Sequence, residues 1–229
     1  MKIDVITPTN PFLSDDAGKM PAHQMVYEKL RVMILFGDLA PGQAVTIQGL
    51  TTELGAGMTP VREAIRRLIA EGALTHQGNR RVSVALLTAV CVDELGFMRK
   101  TLEPELTRRA TTRMTDAGLD ALRTSDADLN AAITRGDVGA YLTHNYRFHT
   151  QIYALAQAPI MAATVDRLWL RFGPSLRVVC GRFGTLNLPD KHMDLLAAFA
   201  RKDASAAAKA MTEDVTQGMK QIRAALDEV

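Results

Sequence analysis

The chain has 229 residues, of which 47% are hydrophobic, 23% are charged and only 5% are aromatic. This balance predicts a soluble globular protein with one large or two small domains, and the lack of an apolar run of ~18 residues argues against a membrane span. The formal net charge of +2 is too small to indicate a nucleic-acid partner, so any such contact requires a local concentration of charge.

The first segment of the chain, residues 1–20, shows no periodicity, and we expect it to form a flexible arm. It also lacks the apolar core of a secretory signal. The two cysteines, Cys91 and Cys180, lie far apart in apolar surroundings, which favours free thiols in a reducing compartment. These features predict a cytoplasmic protein.

Helical periodicity begins at Pro21 and continues to Gly37, and a second short helix is predicted from a cap at Thr46 to a stop at Gly55. A third helix follows, with Thr59 as the expected N-cap and Pro60 in the first helical position. Its predicted buried stripe consists of Val61, Ala64, Ile65 and Leu68. Residues 73–76 and 81–85 then alternate apolar and polar side chains about a turn, which indicates a hairpin. Three short helices and a two-stranded wing together predict a winged helix-turn-helix.

The third helix carries basic residues outside its buried stripe. In a helix-turn-helix the second helix of the pair lies in the major groove, and guanidinium groups suit phosphates and guanine edges. A solvated charged face is the alternative for a charge run taken alone. The basic groups here are concentrated on two elements expected to share one surface, which favours DNA. The predicted DNA contacts are Thr59, Arg62, Arg66, Arg67, Asn79, Arg80 and Arg81.

From residue 88 to the end only helical periodicity occurs, with breaks near residues 115, 136, 159, 181–189 and 202. This predicts about six helices in an all-α bundle, joined to the winged segment by a hinge at residues 86–88. The predicted fold class is therefore mainly α. Its domains are the arm 1–20, a DNA-binding domain 21–87 and an effector domain 88–229.

Residues 34–42 (ILFGDLAPG) and 59–68 (TPVREAIRRL) resemble the DNA-binding domain of GntR-family bacterial transcription regulators. The resemblance implies that Arg62 and the wing tip contact operator DNA. One departure precedes the third helix, where Gly57 and Met58 replace the usual Ser-Arg pair. A family arginine that contacts DNA is therefore missing, and the operator of relatives cannot be assumed.

The second segment resembles the helical effector domain of the FadR subfamily, often called FCD. The resemblance rests on Arg99, Leu102-Glu103-Pro104, Phe148-His149, His192, Asp203, Ala207 and Met211. It implies a divalent metal held at four positions, which in this chain are Asn145, His149, His192 and Asp214. Asn145 and His149 are one helical turn apart and share a face.

Two of these four positions depart from the family pattern, since an amide replaces the carboxylate and a carboxylate replaces the last histidine. The change should weaken binding of Zn or Ni and favour a harder ion such as Mn. An alternative without metal remains open, in which the two histidines are buried and hydrogen-bonded to Asn145 and Asp214.

The resemblance also implies that Arg99 holds an acidic ligand beside the metal, and Arg171 and Arg177 are further candidates. A bundle cavity with a metal and an arginine suits a small carboxylate such as a sugar acid or a dicarboxylate, and the sequence does not choose between them.

The leading hypothesis is a homodimeric transcription regulator, not an enzyme, whose operator binding responds to such a carboxylate. A second hypothesis is a constitutive DNA-binding regulator with a decayed effector site. A third is a metal-dependent hydrolase that uses the His/Asn/Asp set to activate water, although no general base or nucleophile motif accompanies it.

Overall fold

The structure is a computed structural model that describes residues 20–77, 81–183 and 191–227. Within these ranges the chain forms nine helices and three short strands. In chain order the elements are α1 (Ala22–Leu35), β1 (Ala44–Val45), α2 (Ile47–Leu54), α3 (Met58–Ala70), β2 (Leu74–Gln77), β3 (Arg81–Val84), α4 (Ala89–Arg113), α5 (Asp116–Arg135), α6 (Val138–Leu155), α7 (Pro159–Phe183), α8 (Lys191–Ala200) and α9 (Ala204–Asp227). The mainly helical fold class with an N-terminal winged helix-turn-helix is confirmed. The predicted arm 1–20 lies outside the described residues except for Met20.

The three N-terminal helices pack on an antiparallel sheet of order β1-β3-β2. The predicted hairpin corresponds to β2 and β3, with Thr75 opposite Ser83. The third strand, β1, was not predicted, because two residues are too few to show an alternating pattern. It pairs with the other edge of β3 through Ala44 and Val45.

The predicted apolar stripe of α3 is buried, and this face packs against α1. The start of the helix differs from the prediction. Gly57 is the N-cap and α3 begins at Met58, so Thr59 lies inside the first turn and makes no capping bond. Thr46 does cap α2, because its hydroxyl accepts a 3.0 Å hydrogen bond from the amide of Gly49.

The six C-terminal helices form the predicted bundle, in which α4 packs on α9 and α5 on α6. Hydroxyl or carboxylate side chains at Thr88, Thr115 and Asp137 cap α4, α5 and α6, which fixes where each helix begins. Helix α7 continues through Gly181, where a break was expected. No helix in the described part of the chain is both long and apolar enough to cross a membrane.

Helix α1 of the winged segment packs directly against α7 of the bundle, so that one apolar core runs through both segments. The approach is closest at Gly173, where a Cβ atom would lie only 2.2 Å from the carbonyl oxygen of Leu35. Glycine is therefore required there for backbone proximity. Beside it, Arg177 donates a 3.1 Å hydrogen bond to the carbonyl of Phe36.

Candidate DNA-binding surface and effector cavity

The outer face of α3 carries the exposed residues that sequence patterns assigned to DNA contact. Arg62 is exposed and makes no ion pair with any described residue. Arg66 is also exposed, and its one ion pair among the described residues is with Glu63 one turn away, at 2.9 Å, a contact of little strength in water. Thr59, in the first turn of α3, and Arg81, at the start of β3, are exposed as well. The other two predicted contacts, Asn79 and Arg80, lie outside the described residues.

Arg67 differs from Arg62 and Arg66 because its guanidinium group makes several contacts with other elements of the protein. Its Nε lies 3.1 Å from the Glu71 carboxylate and its Nη1 donates a 3.1 Å bond to Gln24 of α1. The same group lies over the Tyr27 ring, 3.6 Å from the centroid. Arg67 therefore joins α3 to α1, and its expected role as a DNA contact is not supported by its placement.

A cavity of about 210 Å³ opens within the helical bundle and brings together the four positions expected to hold metal. His149 and Asn145 reach it from α6, His192 from α8 and Asp214 from α9. The donor atoms of both histidines and of Asp214 lie within 4.8 Å of one another. The apolar part of the wall consists of Leu129, Ile133, Tyr141, Trp169, Phe172, Leu176 and Ile222.

His192 is oriented by a buried carboxylate that sequence reasoning missed. Its Nδ1 lies 3.0 Å from Oδ1 of Asp126 on α5, and its ring stacks on Phe148 at 3.9 Å. A carboxylate accepts and does not donate, so Nδ1 carries the proton and Nε2 keeps its lone pair. Asp126 lies four residues after Leu122 and three before Leu129, in the apolar stripe of α5, and this position is the sequence signal that separates it from the exposed aspartates of the helix.

The tautomer of His149 follows from counting protons around the Tyr153 hydroxyl. That hydroxyl has one proton, which it donates to Glu103 at 2.7 Å, and it accepts a 3.2 Å bond from the indole nitrogen of Trp169. Its remaining capacity is to accept, so Nδ1 of His149, 3.3 Å away, is the donor. In neutral His149 the Nε2 atom therefore carries a lone pair.

That lone pair faces another acceptor, because Nε2 of His149 lies 3.3 Å from Oδ2 of Asp214. Burial acts to raise the pKa of Asp214, but protonated His149, which donates to the carboxylate through Nε2, together with protonated His192 and Arg99 lowers it to about 2. Asp214 is thus an anion at neutral pH. An anionic carboxylate and two imidazole lone pairs directed at one point repel one another unless a proton or a cation lies between them. The donor set consequently fits a divalent metal.

Arg99 also lines the cavity, and it is paired with Glu103 on the same helix through both Nε and Nη2. Its guanidinium group lies over the rings of Phe172 and Trp169, at 4.2 and 4.9 Å. Burial disfavours the charge, but Glu103 more than compensates, so the pKa of Arg99 is raised. Among the described residues its Nη1 atom contacts the sulfur of Met219, at 3.6 Å, and has no oxygen partner.

Arg171 and Arg177 do not line this cavity, so their expected role as ligand contacts stays a prediction without support from the cavity. Arg171 lies against Gly72, where its Nε would be 3.2 Å from an added Cβ, and Arg177 contacts the end of α1. Both side chains point from α7 towards the winged segment. Helical periodicity places them on α7 but cannot say which neighbour covers that face.

Two family models match the chain. Residues 22–84 match the bacterial regulatory proteins of the gntR family, and residues 94–217 match the FCD domain. The second match alone covers more than half of the chain.

Individual relatives agree with the family matches. The chain is 28% identical to the HTH-type transcriptional regulator McbR of Escherichia coli over 85% of this chain and 89% of that one. It is 24% identical to the HTH-type transcriptional repressor RspR of the same species, over 89% and 91%. Among solved structures, E. coli McbR/YncC superposes with a TM-score of 0.84 at 26% identity, covering 90% of this chain and 99% of that one. A putative GntR regulator from Rhodococcus shares the fold with a TM-score of 0.75 at 21% identity, over 89% of this chain and 98% of that one.

Proposed function

The chain belongs to the GntR family of bacterial regulatory proteins and carries an FCD domain, and on this premise we propose that a small carboxylate in the bundle cavity controls its binding to operator DNA. As a family member it is a DNA-binding transcription regulator and not an enzyme. The relatives named above are regulators, and nothing among them supports the hydrolase alternative.

In this proposal residues 21–87 bind DNA through the outer face of α3 and the wing. Arg62 and Arg66 face the major groove, Thr59 contacts a phosphate at the start of the helix, and Arg80 and Arg81 contact the backbone beside the wing. The support for this arrangement is that Arg62 is exposed and unpaired among the described residues, whereas Arg67, which is also exposed, is paired with Glu71.

The cavity would hold a divalent metal, Zn, Ni or Mn, through Nε2 of His149, Nε2 of His192 and the Asp214 carboxylate, with Asn145 as the weakest donor. The single observation that carries this proposal is the convergence of one ligand atom each from His149, His192 and Asp214 within 4.8 Å of one another in the cavity. Asp126 and the Tyr153–Glu103 pair would hold the two imidazoles in the tautomer that ligation needs. When bound, the ion supplies positive charge for a carboxylate ligand.

The effector would be a small carboxylate that reaches both the metal position and Nη1 of Arg99. We further propose that the protein acts as a homodimer in the cytoplasm, in line with the near-palindromic operators of two-fold regulators. Coupling between the two sites would pass through the hinge at 86–88 and through the α1–α7 contact.

The test combines DNA and metal measurements on one preparation. Operators are selected from random DNA with the full-length protein, and affinity is then measured for wild type and Arg62→Ala at several salt concentrations. We expect Arg62→Ala to weaken binding by about 1–3 kcal/mol if the side chain contacts a base. A folded Arg62→Ala protein with unchanged affinity would refute the assignment of α3 as the recognition helix.

Metal content is measured by elemental analysis after dialysis against trace Zn, Ni and Mn. We expect stoichiometric metal in wild type and its loss in His149→Ala. Metal that survives His149→Ala would refute the ligand set. DNA binding that is intact in a protein without metal, and unaffected by any added carboxylate, would instead support the constitutive alternative.

A further inference from the structure

Met58, the first residue of α3, is a large apolar side chain exposed at the start of the proposed recognition helix. Its exposed fraction is 55%, whereas Leu54 at the end of α2 and Ile69 near the end of α3 pack against the core. Within residues 46–77 it is the one large hydrophobic side chain that is exposed. Single apolar side chains are common on protein surfaces, so the meaning of this one depends on its surroundings.

The residues beside Met58 on the outer face of α3 are polar. Thr59, Arg62 and Arg66 are exposed, and Arg62 follows Met58 at the four-residue spacing that makes two side chains neighbours on a helix. Because Cα–Cβ bonds tilt towards the start of a helix, the Met58 side chain projects past Arg62 at the N-terminal end. In a helix-turn-helix that end of the second helix contacts base edges. Met58 therefore lies at a position from which a side chain reaches the bases.

The start of α3 carries no negative charge that would keep it away from DNA. The N-cap is Gly57, which has no side chain, and the first turn contains no acidic residue. The first acidic residue of the helix, Glu63, lies 2.9 Å from Arg66 and is neutralised by it. Met58 can consequently approach the groove without repulsion between its own helical turn and the phosphates.

The chemistry of methionine restricts what Met58 can recognise in the groove. Its thioether sulfur has no proton and accepts hydrogen bonds only weakly, so it cannot distinguish bases by their donors and acceptors. The methyl group that unmodified DNA presents in the major groove belongs to thymine. A flexible, polarisable methionine side chain can adapt its shape to that group. Burying a group of this size changes affinity about three- to fivefold.

The spacing along α3 limits where the thymine lies relative to the base that Arg62 contacts. Four residues correspond to about 6 Å, at a helical rise of about 1.5 Å per residue. Successive bases of one DNA strand are about 3.4 Å apart. The two side chains therefore reach bases that are about two base pairs apart.

We propose that Met58 selects operator DNA by packing against the 5-methyl group of one thymine in each half-site, about two base pairs from the base that Arg62 contacts. This inference rests on the proposed placement of α3 in the major groove and names a residue that determines sequence preference there. Arg62 makes a charged, hydrogen-bonding contact and Met58 an apolar one, so two kinds of contact read each half-site.

The first experiment replaces the thymines of the selected operator one position at a time, in both half-sites, by deoxyuridine, which lacks only the methyl group. Affinity for the full-length protein is measured by fluorescence anisotropy. At one position we expect deoxyuridine to weaken wild-type binding about three- to fivefold for each half-site. The loss should disappear in Met58→Ala, because no side chain then contacts the methyl group. This double-mutant cycle between protein and DNA isolates the contact.

Two further variants separate this contact from general effects. Met58→Gln has a side chain of similar length with a polar end, and it should also bind the thymine and deoxyuridine operators alike. Met193→Ala is the matched control, because Met193 is 56% exposed on α8 of the bundle, and it should respond to deoxyuridine as wild type does. Circular dichroism checks that each variant is folded. The salt dependence of DNA affinity should be unchanged in Met58→Ala, since no phosphate contact is removed.

Two results would overturn the proposal: deoxyuridine weakening wild type no more than Met58→Ala at every thymine, or Met193→Ala losing the response as fully as Met58→Ala. Arg62→Ala is measured on the same operators. If Arg62→Ala weakens binding while the methyl response is absent, the role of Met58 is wrong and the proposed function survives. If Arg62→Ala also binds like wild type, the assignment of α3 as the recognition helix has itself failed.

Discussion

Arg31 and Asp166 join the winged segment to the helical bundle. Nη2 of Arg31 on α1 lies 2.6 Å from Oδ2 of Asp166 on α7, and both side chains are largely buried. The hydroxyl of Tyr146 donates to the same carboxylate, and its ring meets the Trp169 ring edge-on at 5.5 Å. Since Trp169 forms part of the wall of the bundle cavity, one side chain, Tyr146, separates the ion pair from that wall.

Arg31→Met is expected to lower the free energy of unfolding by about 3 kcal/mol, because it leaves the Asp166 carboxylate without its counterion in a partly buried place. Denaturant unfolding followed by circular dichroism measures the change. Arg123→Met is the matched control, since the Arg123–Asp120 pair is exposed and should contribute at most about 0.5 kcal/mol. If Arg31→Met and Arg123→Met lower the free energy of unfolding equally, the buried Arg31–Asp166 pair contributes no more to stability than an exposed ion pair.

Arg67→Ala is expected to affect stability and not DNA affinity. Its contacts with Glu71, Gln24 and the Tyr27 ring are lost, which should cost about 1–2 kcal/mol of unfolding free energy. The slope of DNA affinity against salt should not change, because no phosphate contact is removed. Arg62→Ala should weaken DNA binding and leave the free energy of unfolding nearly unchanged. A reduced dependence of DNA affinity on salt in Arg67→Ala would show that Arg67 does contact a DNA phosphate.

Gly173→Ala tests the closest approach between the two segments. The added methyl group would lie 2.2 Å from the carbonyl oxygen of Leu35, so α1 and α7 must separate, at a cost of about 1–3 kcal/mol or more. Gly181→Ala on the same helix meets nothing within 4 Å and should be neutral or stabilising by up to about 1 kcal/mol. Thermal unfolding of both variants gives the comparison. A neutral Gly173→Ala would mean that the helices are not in contact there.

Asp126→Asn is expected to weaken metal binding about 10- to 100-fold without removing a ligand. The amide no longer fixes the protonated Nδ1 of His192 by charge, so its Nε2 is a poorer donor. Competition with a chromophoric chelator measures the affinity. Asp128→Asn, at an exposed carboxylate of the same helix, should have no effect on metal affinity.

Asn145→Asp should strengthen metal binding by adding an anionic oxygen near the dication.

The two cysteines are expected to differ in reactivity as pH rises. Burial raises the pKa of the Cys180 thiol to about 12, whereas hydrogen bonding with Thr88 lowers the pKa of the Cys91 thiol below its usual value. Only the thiolate reacts, so iodoacetamide at about pH 8 should alkylate Cys91 and spare Cys180 in the folded protein. Mass spectrometry of the digested protein locates the label. Labelling that persists in Cys91→Ser would contradict the burial of Cys180.

The sequence alone determined the features that depend on local spacing. The apolar stripe of α3 recurs at three- and four-residue steps, so the buried face of that helix follows from its periodicity. Thr46 and the glycine at position 55 mark the ends of α2 because capping and a left-handed conformation are chemical properties of those residues. The one-turn spacing of Asn145 and His149 likewise placed both on one face of α6, and both line the cavity.

Only the tertiary structure decided which neighbouring element each charged helix side chain contacts. Arg62 and Arg67 are equivalent in a charge pattern, but Arg67 lies on the side of α3 next to α1, where it contacts Gln24 and the Tyr27 ring. Asp126 approaches His192 from 66 residues away in sequence, a pairing that follows from the packing of α5 near α8 and from no local signal. Arg171 likewise faces the winged segment, beside Gly72, because α7 packs against α1. Periodicity fixes the face of a helix, whereas the partner of that face depends on long-range packing, and the chemistry of a charged side chain changes with its partner.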